Sequence, residues 1–295
     1  MKLTFLGTSS MLPTHDRNHS AIFLEYKEQG ILIDCGEGTQ RQLRIAGIKP
    51  SKLSKILITH FHGDHVLGIP GVIQNLSAHN YSKTLEIYGP KGTKASINHL
   101  LSGIIFQGKI QLKIKELSQG IFYKNKDFQL EARKLNHGNV PCIGYSFKEA
   151  DKLKINTEYL KKFNLTQHPI LKQLQAGKSI TWQGKKIPVK QATLKNPGKK
   201  LAFILDTRYC QQAIALAKNS SVIIAESTWL EKEKKSQGFH LSAKDAALIA
   251  KKSKSNQLIL THFSQKYKSL EELEKEAKEI FSNTIMARDF LTLEI

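Results

Sequence analysis

The stretch Thr59-His60-Phe61-His62-Gly63-Asp64-His65 puts three imidazoles and a carboxylate within six positions, directly after the apolar run Lys55-Ile56-Leu57-Ile58-Thr59. That run is short and rich in β-branched and aliphatic residues, which predicts a buried strand. A strand points successive side chains to opposite faces, so it cannot bring His60, His62, Asp64 and His65 to one place. The strand must end here, and the polar residues occupy a loop that runs into a helix near His65. Imidazole and carboxylate together suit zinc, and this loop can feed two neighbouring ions. The bland alternative is a polar loop that is merely His-rich. Four donor side chains in six residues, with the turn residue Gly63 among them, argue against it.

The spacing H-x-H-x-D-H resembles the signature of the metallo-β-lactamase fold hydrolases, a superfamily that hosts many chemistries. The resemblance implies an α/β fold, an αββα sandwich of two mixed sheets flanked by helices. The remaining pattern agrees, with strand runs at Lys2–Leu6, Ala21–Tyr26, Ile31–Asp34, Leu201–Leu205, Val222–Ala225 and Gln257–Leu260. Helical spacing covers Val66–Ala78, with Pro70 and Gly71 in its first turn or at a kink, and also Thr93–Leu101, Gln211–Lys218 and Ser269–Ile280. Ser242-Ala243-Lys244-Asp245 reads as the cap of a helix running to Lys252, and a final strand pair closes the chain. His60, His137, Asp206, Glu226 and His262 each follow an apolar strand. Strand ends of one sense converge on a common edge, where active sites are built.

Charge narrows the partner. Lys and Arg total 45 against 25 Asp and Glu, a net charge of +20, which points to a polyanion: nucleic acid first, an anionic membrane surface second. No apolar run reaches the roughly 18 residues of a membrane-spanning helix, and the N-terminus has no signal-peptide pattern. Cys35, Cys142 and Cys210 are odd in number and form no C-x-x-C pair, so a reducing cytoplasm is expected rather than a disulfide framework. Residues 148–200 stand apart from the halves 1–147 and 201–295. Their 13 Lys face only Glu149, Asp151 and Glu158, so 53 residues carry +10, half the net charge. Apolar residues are sparse there and Pro and Gly frequent, which fits either a solvated linker or a protruding basic arm. Its place between two ligand candidates favours the arm.

With these residues in hand the chain resembles the tRNase Z family, endonucleases that trim the 3′ end of precursor tRNA, over nearly its whole length. The resemblance puts seven metal ligands on His60, His62, Asp64, His65, His137, Asp206 and His262, with Asp206 bridging two zinc ions. It puts a proton-donating pair on His240 and Glu226, and makes Asp64 the group that orients or deprotonates the attacking water. Its tRNA-gripping arm falls on the basic segment, where Pro169, Leu174 and Gly177 match the arm's motif beside Lys161, Lys162, Lys172 and Lys178. Its loop P-x-K-x-R-N is met by Pro13, Arg17 and Asn18, with His15 where Lys is usual. Ala225-Glu226-Ser227-Thr228 stands for H-E-A-T, and His168 replaces the Gly before the arm's Pro. The resemblance further implies a homodimer, no membrane, and products with a 3′-hydroxyl on the tRNA and a 5′-phosphate on the trailer. Two other readings stay open at this point: a different hydrolase on the same fold, and a non-catalytic RNA-binding relative.

Charge-driven docking carries a measurable signature. Each phosphate neutralised by a lysine releases counterions, so affinity for precursor tRNA should fall log-linearly with salt, by about a thousand-fold or more between 50 and 200 mM for six or more contacts. A flat response in a filter-binding titration would mean that the +20 charge is not the docking surface.

Overall fold

Period-two alternation in the strands sorts apolar residues into two cores at once. In Ala21–Tyr26, Ile22 and Leu24 face one cluster while Ala21 and Phe23 face another; in Lys200–Ile204, Leu201 and Phe203 part from Ala202 and Ile204 in the same way. Strands apolar on both faces must be covered on both, and four layers satisfy them. The computed structural model describes residues 1–105, 110–234 and 238–295.

Two seven-stranded sheets pack face to face over a shared core that includes Leu3, Phe5, Ile33, Tyr145, Phe203 and Ile259. The first sheet runs in the order Thr292–Glu294, Lys2–Gly7, Ala21–Tyr26, Gln29–Ile33, Leu53–Leu57, Thr84–Gly89, Gln111–Glu116. The second runs Thr284–Met286, Gln257–Thr261, Val222–Glu226, Lys200–Ile204, Ile143–Glu149, Phe128–Lys134, Gly120–Lys124. Helices Thr39–Ile45, Gly63–Val66, Ile69–Ala78 and Thr93–Ser102 cover the first sheet, and Gln211–Ala217, Ala243–Lys252 and Glu271–Lys278 the second. The expected αββα sandwich is what forms. Among the described residues no helix is long and apolar enough to cross a membrane.

Strand sense decides where the site can be. Gln29–Ile33 and Leu53–Leu57 are parallel, as are Lys200–Ile204, Val222–Glu226 and Gln257–Thr261. Phe128–Lys134 shares the sense of Lys200–Ile204, because both pair antiparallel with Ile143–Glu149. Residues that follow these strands therefore emerge at a common edge of each sheet.

Several expectations shift in detail. The motif strand spans Leu53–Leu57 rather than Lys55–Thr59, since the chain must leave the sheet before it can turn His60 and His62 inward. The helix expected from Val66 is two pieces, Gly63–Val66 and Ile69–Ala78, with Pro70 in the first turn of the second. The break falls at Gly68, whose N–H donates to Cys35 O at 2.9 Å; a Cβ there would stand 2.0 Å from Gly36 O. Only glycine lets the two backbones meet, and that contact presses the motif helix against the strand-end turn at Asp34. The closing strands do not pair with each other. Thr284–Met286 extends the second sheet, and Thr292–Glu294 returns to the first beside Lys2–Gly7.

The basic segment is folded. Lys148, Glu149 and Lys200 lie in the second sheet, so the excursion itself runs from 150 to 199. Lys152–Ile155 pairs with Thr193–Asn196 as a two-stranded stalk. Beyond it come short helices at Thr157–Lys161, Leu171–Gln175 and Val189–Ala192 and a hairpin, Ile180–Trp182 with Lys185–Ile187. Gln183 and Gly184 both take positive φ, as a tight two-residue hairpin turn requires. Leu160, Leu165, Leu174, Ile180, Ile187 and Ala192 form a separate small core. Sparse as they are, its apolar residues are spaced to meet, which a linker's need not be. Leu174 is fully buried in this core, so it supports the arm from inside rather than meeting RNA as the motif match had suggested.

Candidate metal centre

The strand-end residues arrive strained. Asp34, Asp206 and His262 all have positive φ (55°, 35° and 59°), a backbone state that costs a non-glycine residue energy and that the surrounding structure must impose. Each follows a parallel strand, and the left-handed turn swings its side chain across the sheet edge. All three are buried, as are His60, His65, His137 and Glu226; Asp64 is 9% exposed.

Seven side chains gather in two nests. In one, His60 Nε2 lies 3.0 Å from His62 Nδ1, which is 3.3 Å from His137 Nε2. Asp206 Oδ2 stands 3.5 Å from His60 Nε2 and 3.9 Å from His137 Nε2. In the other, Asp64 Oδ2 lies 3.3 Å from His65 Nε2 and 3.5 Å from His262 Nε2, and the two rings approach to 3.2 Å. Asp206 closes this nest as well, with Oδ1 at 3.1 Å from His262 Nε2 and Oδ2 at 3.5 Å from His65 Nε2. Asp206 alone belongs to both.

Hydrogen bonds behind the rings fix which nitrogen faces inward. His65 Nδ1–H donates to Asp34 Oδ2 at 2.6 Å, and Asp34 also accepts from Thr59 N and Thr59 Oγ1. Since Thr59 Oγ1 gives its proton to Asp34, it accepts from His60 Nδ1 at 3.0 Å. Thr228 Oγ1 likewise donates to Glu226 Oε2 and accepts from His262 Nδ1 at 3.1 Å. His137 Nδ1–H donates to Phe239 O at 3.0 Å. The Nδ1 protons of these four rings are thereby committed outward, and the Nε2 atoms of His60, His65, His137 and His262 point lone pairs at one another, at His62 Nδ1 and at two carboxylates. Asp206 Oδ1 is buried without a hydrogen-bond partner. Such a set repels itself unless a cation sits among the donors, so the residues fit a metal centre.

The electrostatics say the same. His60 is held well below the usual imidazole range, by burial first and then by the neighbouring His65, and so stays neutral as a ligand must. Burial opposes charge on His65 too, yet Asp206 and Asp34 together push it well above that range. A proton and a metal ion answer the same negative field. Against burial, His262 and His65 hold the Asp64 carboxyl far below the ordinary carboxylate range, and His262, His65 and His240 do the same for Asp206.

His240 and Glu226 sit beside the nests. Glu226 is fully buried; its Oε1 accepts from Thr207 N at 2.6 Å, and its Oε2 accepts from His240 Nδ1–H at 2.9 Å. Burial works against protonation of His240, but Glu226 and then Asp206 outweigh it, so the imidazole is pushed up to about 9. The field of Glu226 and Asp206 thus favours the protonated imidazole. His240 lines a cavity of about 500 Å³ together with His62, Asp64, Asp206 and His262, opposite Met11, Leu12, Leu67 and Trp229.

Against this geometry, the relatives of the chain can be read. It is 38% identical to the ribonuclease Z of Protochlamydia amoebophila over 293 residues, 98% of this chain and 95% of that one. It is 36% identical to the ribonuclease Z of Pyrococcus horikoshii over 292 residues, 98% and 94% of the two chains. The chain belongs to the ribonuclease Z family. A family model described as anti-Pycsar protein Apyc1 also matches residues 1–284, so the chain falls within its compass too. Human tRNase Z, short form, shares the fold with a TM-score of 0.73 at 24% identity, covering 100% of this chain and 99% of that one. The metallo-β-lactamase fold protein YhfI from Bacillus subtilis does so with a TM-score of 0.71 at 18% identity, covering 100% and 98%.

The other expected residues of this ribonuclease Z chain lie elsewhere. Arg17 is half-buried, and its guanidinium donates to the carbonyls of Ser264 and Tyr267 at 3.3 and 2.9 Å. Asn18 donates through Nδ2 to Glu37 O and through its backbone N to Asp289 Oδ2. Both face the protein and anchor the loop that carries Met11 and Leu12 to the cavity. Lys161, Lys162, Lys172, Lys178, Pro169 and Gly177 are all exposed on the arm, which leaves them open to a partner. Asp34 is the residue that motif reading undervalued. Its place at a strand end was visible, but its role depends on a contact with His65, 31 positions away.

Asp34 gives a direct test of this arrangement. Asp34→Ala removes the acceptor that fixes the His65 tautomer, and metal affinity should fall about 10–100-fold, the usual scale for such a partner. Competition with a chelating dye would measure it; unchanged affinity would show that the Asp34–His65 bond does not organise the nest.

Proposed function

We propose that the chain is a zinc-dependent endoribonuclease that removes the 3′ trailer from precursor tRNA. The observation that carries this reading is the pairing, in one ribonuclease Z chain, of a complete double nest of ligands with a folded, lysine-rich arm. A hydrolase of small esters on the same fold has no use for such an arm. A non-catalytic RNA-binding relative has no need of seven oriented donors.

Zinc in both nests fits the donor chemistry. Zinc–nitrogen and zinc–oxygen bonds of about 2.0–2.2 Å place tetrahedral ligands about 3.3–3.6 Å apart. The shorter donor separations within the nests run from 3.0 to 3.9 Å, and all donors of His60, His62, His137 and Asp206 lie within 4.8 Å of one another. In this reading His60, His62 and His137 would hold one ion, Asp64, His65 and His262 would hold the second, and Asp206 would contribute to both. When bound, zinc supplies Lewis-acid chemistry, withdrawing charge from the phosphate and making water nucleophilic near neutral pH.

The chain's own residues do the rest. Asp64, kept ionised by two imidazoles, orients the attacking water. Asp64 takes a proton from the water as its oxygen adds to phosphorus, the bond from phosphorus to the 3′-oxygen breaks, and His240 gives its proton to that oxygen. Glu226 keeps the ring in the tautomer that can do so and stabilises its charge. The products are a 3′-hydroxyl on the tRNA and a 5′-phosphate on the trailer. Lys161, Lys162, Lys172 and Lys178 hold the tRNA body through its phosphates, with Pro169 and Gly177 shaping the turns between them. The reading includes a homodimer working in the cytoplasm, and analytical ultracentrifugation tests the dimer.

Recognition and chemistry separate cleanly in this design. Replacing residues 156–192 by a short Gly-Ser turn keeps the stalk and every ligand, so hydrolysis of bis(p-nitrophenyl) phosphate should persist within a few-fold. Precursor tRNA cleavage should collapse, because the remote contacts that orient the scissile phosphate are gone. Undiminished tRNA processing would make the segment a spacer.

The pH profile tests the donor. His240 works in its protonated form, which its raised pKa preserves at neutral pH, so activity is lost on the alkaline side. Precursor cleavage should decline between the ordinary imidazole range and about 9, since any cation at Asp206 withdraws part of the field that raises His240. His240→Ala should lose about 10²–10⁴ in rate and abolish that limb. An unaltered alkaline limb in the variant would assign it to another group.

A further inference from the structure

The residue after Asp206 and Thr207 has been given no role so far, yet it touches the segment that carries His240. Arg208 N donates to Asn136 O at 2.8 Å, which ties it to the turn holding His137. Its Nε donates to Gly238 O at 2.9 Å, and the guanidinium carbon lies 4.1 Å over the Phe239 ring. That ring rests on Gly138, where a Cβ would fall 2.6 Å from it, and Gly138 takes a positive φ of 65°. Phe239 O in turn accepts the Nδ1–H of His137. Phe239 is 40% exposed, so burial alone does not hold it. What holds the segment is a planar cation that stacks on a ring and donates in its own plane at once. Guanidinium can do both, whereas an ammonium cannot.

We propose that Arg208 is a positioning residue for proton transfer: by fixing Gly238 and Phe239 against the His137 turn, it sets where the His240 imidazole stands relative to the departing 3′-oxygen. This rests on the reading of His240 as proton donor. Among the described residues the His240 ring is otherwise hydrogen-bonded only at Nδ1, by Glu226 Oε2 at 2.9 Å and more weakly by Thr228 Oγ1 at 3.5 Å, an end about which it can swing; its ring neighbours are His137 at 5.1 Å and His262 at 5.7 Å. Fixing the adjacent peptide removes that freedom. A misplacement of about 1 Å is enough to cost on the order of 100-fold in rate.

The test compares two substrates on the full-length, metal-loaded enzyme. A ribose 3′-oxygen needs a proton to depart, whereas p-nitrophenolate leaves without one. Arg208→Ala and Phe239→Ala should lower kcat on precursor tRNA about 10–100-fold, with KM and metal per chain unchanged and bis(p-nitrophenyl) phosphate hydrolysis within about two-fold of the parent. Arg208→Lys, which keeps the charge without the plane, should recover only part of the loss; with Phe239→Leu it also serves if the alanine variants fold poorly. The double variant Arg208→Ala/His240→Ala should be no slower than His240→Ala alone, because both changes remove one step. Five outcomes overturn the proposal. A raised KM at constant kcat would make Arg208 a phosphate contact, and parallel loss on both substrates together with metal would make it a support for His137. Additive losses in the double variant would separate it from His240, as would parent-like kcat in Arg208→Ala while His240→Ala is impaired. If His240→Ala itself cleaves precursor tRNA normally, the donor assignment fails first, and the clamp falls with it.

Discussion

The Asp206 carboxylate is where the two halves of the structure meet. One oxygen faces the nest of His60 and His137, the other faces His262, and no hydrogen bond satisfies the latter. A buried carboxylate without a donor is costly, and this one is surrounded by imidazole nitrogens whose own protons are turned away. The arrangement holds together only as a cation-binding unit. It also explains why the sheets pack as they do: His60 and His65 come from the first sheet's edge, and Asp206 and His262 from the second's. Neither sheet alone can build either nest.

That dependence accounts for the strain. Left-handed turns at Asp34, Asp206 and His262 occur where parallel strands leave the sheets, and each turn aims a donor or its partner across the gap. Layers of partners then lock the aim. Asp34 and Thr59 behind His65 and His60, Thr228 and Glu226 behind His262, and Phe239 behind His137 leave each of these rings one tautomer. His240 is built on the same frame, since Glu226 Oε2 accepts from both Thr228 and His240. Changing Thr228 or Glu226 should therefore be felt by both His262 and His240.

Much of this was legible in the chain. The motif from His60 to His65 could not be a strand, and the other ligands each followed an apolar run, so their convergence followed from strand sense. Local chemistry also read true at Ser242 and Asp245, which form a capping box, and at Pro70 in a first helical turn. What stayed hidden depended on contacts remote in sequence. Arg17 was expected at the substrate through its match to the loop P-x-K-x-R-N, but carbonyls about 250 positions on take up its guanidinium. Leu174 belonged to a recognised motif whose role is to fill a core that sparse apolar residues gave little sign of. The helix break at Gly68 came from a backbone contact with Cys35 and Gly36 that no periodicity encodes.

The distribution of charge gives the layout its logic. The chain carries +20, yet its centre buries four carboxylates, Asp34, Asp64, Asp206 and Glu226, within one edge of the sandwich. A phosphodiester approaching those carboxylates alone would be repelled, and the cost would be greatest where the dielectric is lowest. Cations in the nests reverse the sign at the place of reaction, but they are too few and too enclosed to draw in a whole tRNA. The attraction has to come from elsewhere; on the reading proposed above it comes from the arm, whose exposed lysines stand on a small core of its own joined to the body by a two-stranded stalk. On that reading long-range steering rests on lysines and short-range chemistry on cations held by buried carboxylates, in separate places, and the stalk between them sets the distance from the gripped body to the scissile bond. Selection of the cleavage site is then a matter of length as much as of sequence, because the arm can hold phosphates without reading bases.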